Sequence, residues 1–148
     1  MLYSVPQFVI EDDKTRASSI ARRRGGNCPN TIDVLEQLFS VDREAGADRF
    51  IGLNLVVVLP NRSSLAVQEI QRSFGPGVST SSCIYRDEYT EPSSSYVIKN
   101  LASNSRTIIS YNNMPDMDLG EFVRVVDSLG AEAAAWYHFE VSFSPPSY

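Results

Sequence analysis

Five consecutive apolar residues, Leu55-Val56-Val57-Val58-Leu59, broken off by Pro60-Asn61, constrain the fold of this chain more than any other feature. A run so rich in β-branched side chains and too short for a helix predicts a strand over 53–59 that is buried on both faces. Such a strand needs helices to cover it, and the sequence supplies one on either side. Upstream, Ile32, Leu35, Leu38 and Phe39 recur at the spacing of one helical face with Asp33, Glu36 and Gln37 between them, which predicts a helix opening near Asn30. Downstream, Ala66, Ile70 and Phe74 sit four apart behind a Ser63 or Ser64 cap, and Gly75-Pro76-Gly77 stops the second helix.

Three strand-like segments follow, at 82–86, 95–99 and 106–111, separated by turn residues, and they read as antiparallel neighbours. Asp118 with Glu121 three residues on forms a capping box, and Leu119, Phe122, Val123, Val126 and Leu129 then trace an amphipathic helix closed by Gly130. Residues 133–141 read as a further buried strand, and 142–148 as an irregular tail. The segment from Lys14 to Arg24 reads as an exposed ribbon. Helices alternating with apolar strands predict an α/β fold with a parallel-type core sheet flanked by helices, and the short polar strands predict a small separate sheet or lid. So few crossovers leave a sheet edge uncovered, and the expectation is one domain over 1–148 that is unfinished.

Composition excludes several classes. A formal charge of -5 argues against a nucleic-acid or anionic-membrane surface. Two cysteines, Cys28 and Cys83, and one histidine, His138, cannot assemble a four-ligand Cys/His zinc site, and a reduced setting suits them. With no long apolar run and no leader pattern, the expectation is a soluble, cytoplasmic protein without a membrane partner.

The stretch with a chemical signal is Arg24-Gly25-Gly26-Asn27-Cys28-Pro29-Asn30-Thr31, where a ribbon gives way to a helix. Glycines admit a ligand close to the backbone, and asparagine amides both donate to and accept from neutral hydroxyls. A plain turn with an asparagine cap accounts for the same residues and is the favoured reading of a Gly-Gly-Asn taken in isolation. Other residues have blander readings. Arg22-Arg23-Arg24 reads as a solvated strand edge rather than a phosphate contact, His138 as a packed histidine in an apolar strand, and Gly75-Pro76-Gly77 as a turn rather than a phosphate cradle. Cys28 abuts a helix start that could lower its pKa but reads as a small side chain, and Asp118 reads as a cap rather than a cation ligand.

The order Glu11-Asp12, Arg16, Arg24-Gly25-Gly26-Asn27, Asn30 resembles that of ribokinase-like (PfkB-type) carbohydrate kinases, in particular the ketohexokinase-like members. Later stretches extend the resemblance over almost the whole chain: Ser81-Ser82-Cys83-Ile84, Asn104-Ser105-Arg106-Thr107-Ile108, Met114-Pro115-Asp116 and Trp136-Tyr137-His138-Phe139-Glu140. The resemblance implies a partial ribokinase-like fold and a sugar substrate bound by Gly26, Asn27 and Asn30. It further implies that Asp12 is an acidic lid residue near the sugar and Arg106 lies close to the transferred phosphate. ATP and magnesium are the implied cofactors of a complete enzyme. Lid strands at about 14–24 and 82–99 are the implied route to a homodimer.

The chain also departs from that pattern. It begins at Met1-Leu2-Tyr3-Ser4-Val5-Pro6, which the resemblance places beyond the family's early sugar-binding Asp, and Val141-Ser142 follow Glu140 where the family continues with Gly-Arg. No Gly-Ala-Gly-Asp type motif, which holds the family's catalytic base and anion hole, occurs in the sequence. The expectation is an inactive piece of a sugar kinase with no catalytic residue and no metal site of its own. A non-catalytic sugar-binding or dimerisation module is the competing class, and a fragment without independent function a third.

Overall fold

The computed structural model describes residues 1–44, 52–130 and 136–140. The protein is a mixed α/β protein in which three helices accompany small open sheets. The apolar run does not form one continuous strand. It splits into β1 (Leu53–Asn54) and β2 (Val58–Pro60), which pair in parallel with β3 (Val78–Ser79) and β4 (Ile84–Arg86).

The split has a definite cause. Leu53 faces Val78 whereas Val58 faces Ile84, so the second chain carries one residue more than the first between the two ladders. That extra residue is a bulge, accommodated by a turn in which the Cys83 amide donates to the Thr80 carbonyl at 3.2 Å. Because side chains alternate along a strand, one added residue exchanges the faces. Val78 packs inward before the bulge, and Cys83 and Tyr85 pack inward after it. The Cys83 thiol donates to the Leu55 carbonyl at 3.3 Å and so occupies a backbone acceptor that the interrupted ladder leaves free. Residues 82–86 therefore belong to the parallel core, not to an antiparallel group with the strands that follow them.

Both predicted helices cover this core. Helix α1 (Asn27–Glu44) contributes Cys28 and Ile32, and α2 (Leu65–Arg72) contributes Val67 and Ile70, with Phe74 just beyond; they surround Leu55, Leu59 and Cys83. Helix α1 opens three residues earlier than the apolar spacing suggests. Gly26, at φ 96°, makes the break, and its carbonyl accepts the Asn30 amide at 3.1 Å, closing the first turn around Pro29. Proline is tolerated there because a first-turn amide has no partner within the helix. Ser64 is the cap of α2, its hydroxyl accepting from the Val67 amide at 3.2 Å.

Glu36 fastens α1 to the turn after α2. Its carboxylate accepts from the amides of Gly75 at 3.0 Å and Gly77 at 2.8 Å, so the glycine turn is a cradle for a carboxylate of the chain itself. The close approach needs glycine, because a Cβ on Gly75 would overlap that carboxylate.

A separate four-stranded sheet is made by β5 (Leu2–Val5), β6 (Ser19–Ala21), β7 (Ser94–Asn100) and β8 (Arg106–Tyr111), in the spatial order β6-β5-β7-β8. The exposed ribbon contracts to the three residues of β6. The N-terminal strand β5, not expected from the sequence, inserts between β6, to which it is antiparallel, and β7, to which it is parallel. Of the three segments expected to be antiparallel neighbours only β7 and β8 are so, joined by a turn in which Asn104 takes φ 54°. The segment assigned to one lid piece, 82–99, is thus divided between the core pair and this sheet.

Helix α3 (Leu119–Leu129) carries the expected capping box: the Glu121 amide donates to Asp118 at 2.7 Å and the Asp118 amide to Glu121 at 3.1 Å. The Glu121 carboxylate also takes both nitrogens of Arg86, at 2.6 and 2.8 Å, with the two side chains 14% and 16% exposed. Arg86 further donates to the carbonyls of Pro115 and Asp116 and so clasps the loop before α3 to the end of β4. Of the strand predicted at 133–141, residues 133–135 and 141 lie outside the described residues. Residues 136–140 are exposed and form no strand. The predicted tail, 142–148, also lies outside.

Two outcomes are expected. Gly75→Ala should destabilise the protein by about 1–3 kcal/mol, because Glu36 must leave its two amides, whereas Gly25→Ala, with nothing within 4 Å of the added carbon, should change little; urea unfolding of both variants checks this. Hydrogen bonds from Arg86, and then the Asp118 amide, hold the Glu121 carboxyl at about 2 against its usual 4.5. A depressed carboxyl stabilises the fold fully above its unfolded pKa, and that stabilisation is lost as pH falls through the folded one. The unfolding midpoint should therefore drop between about pH 4.5 and about pH 2, and this component should be absent in Glu121→Gln.

Candidate functional site

The Gly25–Asn30 segment sits at the start of α1, and its conformation follows from two residues. Gly26 occupies the left-handed region at φ 96°, where a Cβ would also press on Pro29 Cδ at 3.1 Å. Arg24 then spans the segment: Nη1 donates to the Pro29 carbonyl at 2.9 Å, Nη2 pairs with Asp33 Oδ2 at 2.8 Å, and the guanidinium lies 4.0 Å above the Phe74 ring. Its side chain is only 11% exposed, which corrects the reading of Arg24 as part of a solvated edge. Arg22 does remain solvated, in an exposed pair with Glu69.

Gly26, Asn27 and Asn30 come together by chain continuity, and both asparagines are exposed. The distant segment 136–140 joins them. Asn27 Nδ2 donates to Glu140 Oε2 at 3.4 Å, and the other oxygen of Glu140 lies 3.0 Å from His138 Nε2. Amide, carboxylate and imidazole thus stand side by side at the mouth of the glycine turn. His138 is 47% exposed and paired with Glu140, and so is not a packed histidine in an apolar strand. Spacing alone does not reveal Glu140 as a neighbour of Asn27, since 113 residues separate them.

Cys28 lies between the two asparagines with its side chain turned to the core cluster. Burial raises its thiol pKa; the Glu140 backbone amide partly opposes the rise, and the Glu140 charge adds to it. The thiol is therefore held neutral and is a poor nucleophile, despite its place at a helix start.

Asp12 and Arg106 are placed elsewhere. Asp12 takes φ 60° in an exposed turn closed by the Asp13 amide on the Ile10 carbonyl at 3.1 Å. Arg106 opens strand β8, directly opposite Lys99 of β7. Among the described residues no hydrogen bond or ion pair links either of them to the Gly25–Asn30 segment. An open cleft of about 300 Å³ lies between the bulge and α3, lined by Ser81, Ser82, Arg124 and Ser128 beside the Arg86-bound Glu121. It contains none of the candidate site residues Asp12, Gly26, Asn27, Asn30 and Arg106, although the Ser81-Ser82-Cys83-Ile84 stretch of the sequence resemblance lies along it, and its acid is already committed to Arg86.

What the arrangement at α1 can do chemically is present neutral hydroxyls with two amides and one carboxylate. Among the described residues no three His, Cys, Asp or Glu side chains gather to hold a metal ion, and no helix is long and apolar enough to cross a membrane. No protein-family model matches the chain, and no curated protein matches it.

Proposed function

We propose that the chain is a ribokinase-like sugar-kinase polypeptide whose Gly25–Asn30 segment binds a ketohexose-like sugar. The observation that carries this reading is the meeting of Asn27 with Glu140 beside the positive-φ glycine: an amide and a carboxylate, half in solvent, converging on backbone that a ligand can approach closely. Sugar hydroxyls both donate and accept, and such a pair serves both roles. Asn30, one turn further along α1, supplies a second amide. Asp12 on its exposed turn and Arg106 on β8 remain proposed as lid and phosphate-proximal residues on the strength of the sequence resemblance.

ATP and magnesium do not fit this site. The groups at α1 are two neutral amides and one carboxylate already shared with His138, and among the described residues the Gly75–Gly77 turn is not free for phosphate, since its amides serve Glu36. The proposed act of these residues is therefore to bind and orient the sugar. A non-catalytic sugar-binding module is the second reading, favoured by the same lack of a catalytic base motif.

A homodimer through the four-stranded sheet belongs to the same proposal. Residues opposite one another across the ladders share a face, so Ile20, Tyr3, Ile98, Tyr96 and Ile109 line one side of the sheet. Three of them are substantially exposed: Ile20 at 65%, Tyr96 at 41% and Ile109 at 57%. An apolar sheet face of this kind suits a second copy of itself.

Calorimetric titration with fructose should show binding that Asn30→Ala weakens roughly tenfold, because the hydroxyl it served is left unpaired. A coupled assay of the same chain should show no sugar-dependent ADP release. Unchanged affinity in Asn30→Ala would return the asparagines to a capping role, and sustained turnover would overturn the binding-only reading of the chain. Sedimentation equilibrium should give a dimer that Ile109→Asp converts to monomer; a wild-type monomer at every concentration would remove the dimer proposal.

A further inference from the structure

We infer that Arg24 is a positioning residue, which holds the Gly25–Asn30 segment in its ligand-ready form before any ligand arrives; its effect on sugar affinity rests on the sugar-binding reading given above. Glycines at 25 and 26 let the backbone reach φ 96°, and they also leave it free to depart. Some other group must restrict them. The Arg24 side chain does so by bridging from its own Cα to the Pro29 carbonyl, which closes a ring around both glycines and the first residues of α1.

Each of its three contacts fixes a different degree of freedom. The bond to Pro29 at 2.9 Å sets the span of the segment, the pair with Asp33 at 2.8 Å sets its direction along α1, and the stack on Phe74 at 4.0 Å sets its height above the end of α2. A planar guanidinium can satisfy all three together, whereas an ammonium on a flexible stem cannot. The Nε–H is buried and, among the described residues, has no hydrogen-bond partner. The two asparagines are thus held in place by a side chain that contacts neither amide.

The test uses the whole chain in two independent measurements, backbone 15N order parameters without sugar and calorimetric affinity for fructose. In Arg24→Ala the order parameters across 25–30 should fall from about 0.85 to below about 0.6, while those of β7 and β8 stay unchanged. Fructose affinity should fall roughly ten- to a hundredfold. Added guanidinium ion, at concentrations far below those that unfold proteins, should restore both readouts in part. Arg24→Lys, which keeps the charge but not the fork, should resemble Arg24→Ala.

Unchanged order parameters across 25–30 in Arg24→Ala would overturn the inference whatever happens to affinity. If that variant fails to fold, shown by collapsed β7 and β8 signals, Asp33→Asn replaces it, since removing one arm of the clamp at a carboxylate 40% exposed should loosen the same segment. A rigid segment in folded Asp33→Asn then counts against the inference. If the wild-type chain binds no sugar, the sugar reading fails, and the order parameters alone decide the role of Arg24.

Discussion

A carboxylate on two glycine amides holds the core of this protein in register. Glu36 reaches from α1 to Gly75 and Gly77, and those amides stand where the chain leaves α2 to start the second half of the parallel pair. Three residues earlier on α1, Asp33 takes Arg24, which rests on Phe74 at the same end of α2. Positions 33 and 36 are neighbours along one side of a helix. Helix α1 is therefore fastened twice to the same short stretch, once by a carboxylate cradle and once by a guanidinium clamp. The start of α1, where the candidate site lies, is rigid for the same reason that the crossover is.

Local signals in the sequence were legible because their causes are local. Ser64 caps α2, Asp118 and Glu121 box the start of α3, and the turn with Asn104 joins β7 to β8, each through contacts made within a few residues. Residues 53–59 were legible as buried and extended but not as interrupted. The interruption comes from one extra residue in the partner strand some 25 positions on, and an apolar run does not report the count of its partner. The start of α1 was misplaced because apolar spacing begins at Ile32, while the helix begins where Gly26 turns the backbone.

The candidate site was legible in half. Gly26, Asn27 and Asn30 are contiguous, and their chemistry can be read directly. Glu140 and His138 reach them only through the folded chain. Arg24 was read with its basic neighbours as solvated, since a run of three arginines carries no sign of which one turns inward. The deciding partner, Phe74, lies fifty residues away and is itself read as helix core.

Strand β8 is exposed at all six positions and stands at the border of its sheet, with no described strand against its outer side. Its free amides and carbonyls form a template that any extended segment of suitable length can extend. Ile108-Ile109 give that template an adhesive centre, and Arg106 is its single charge. Arg106 is thus the one charged side chain that guards the open ladder against edge-to-edge pairing.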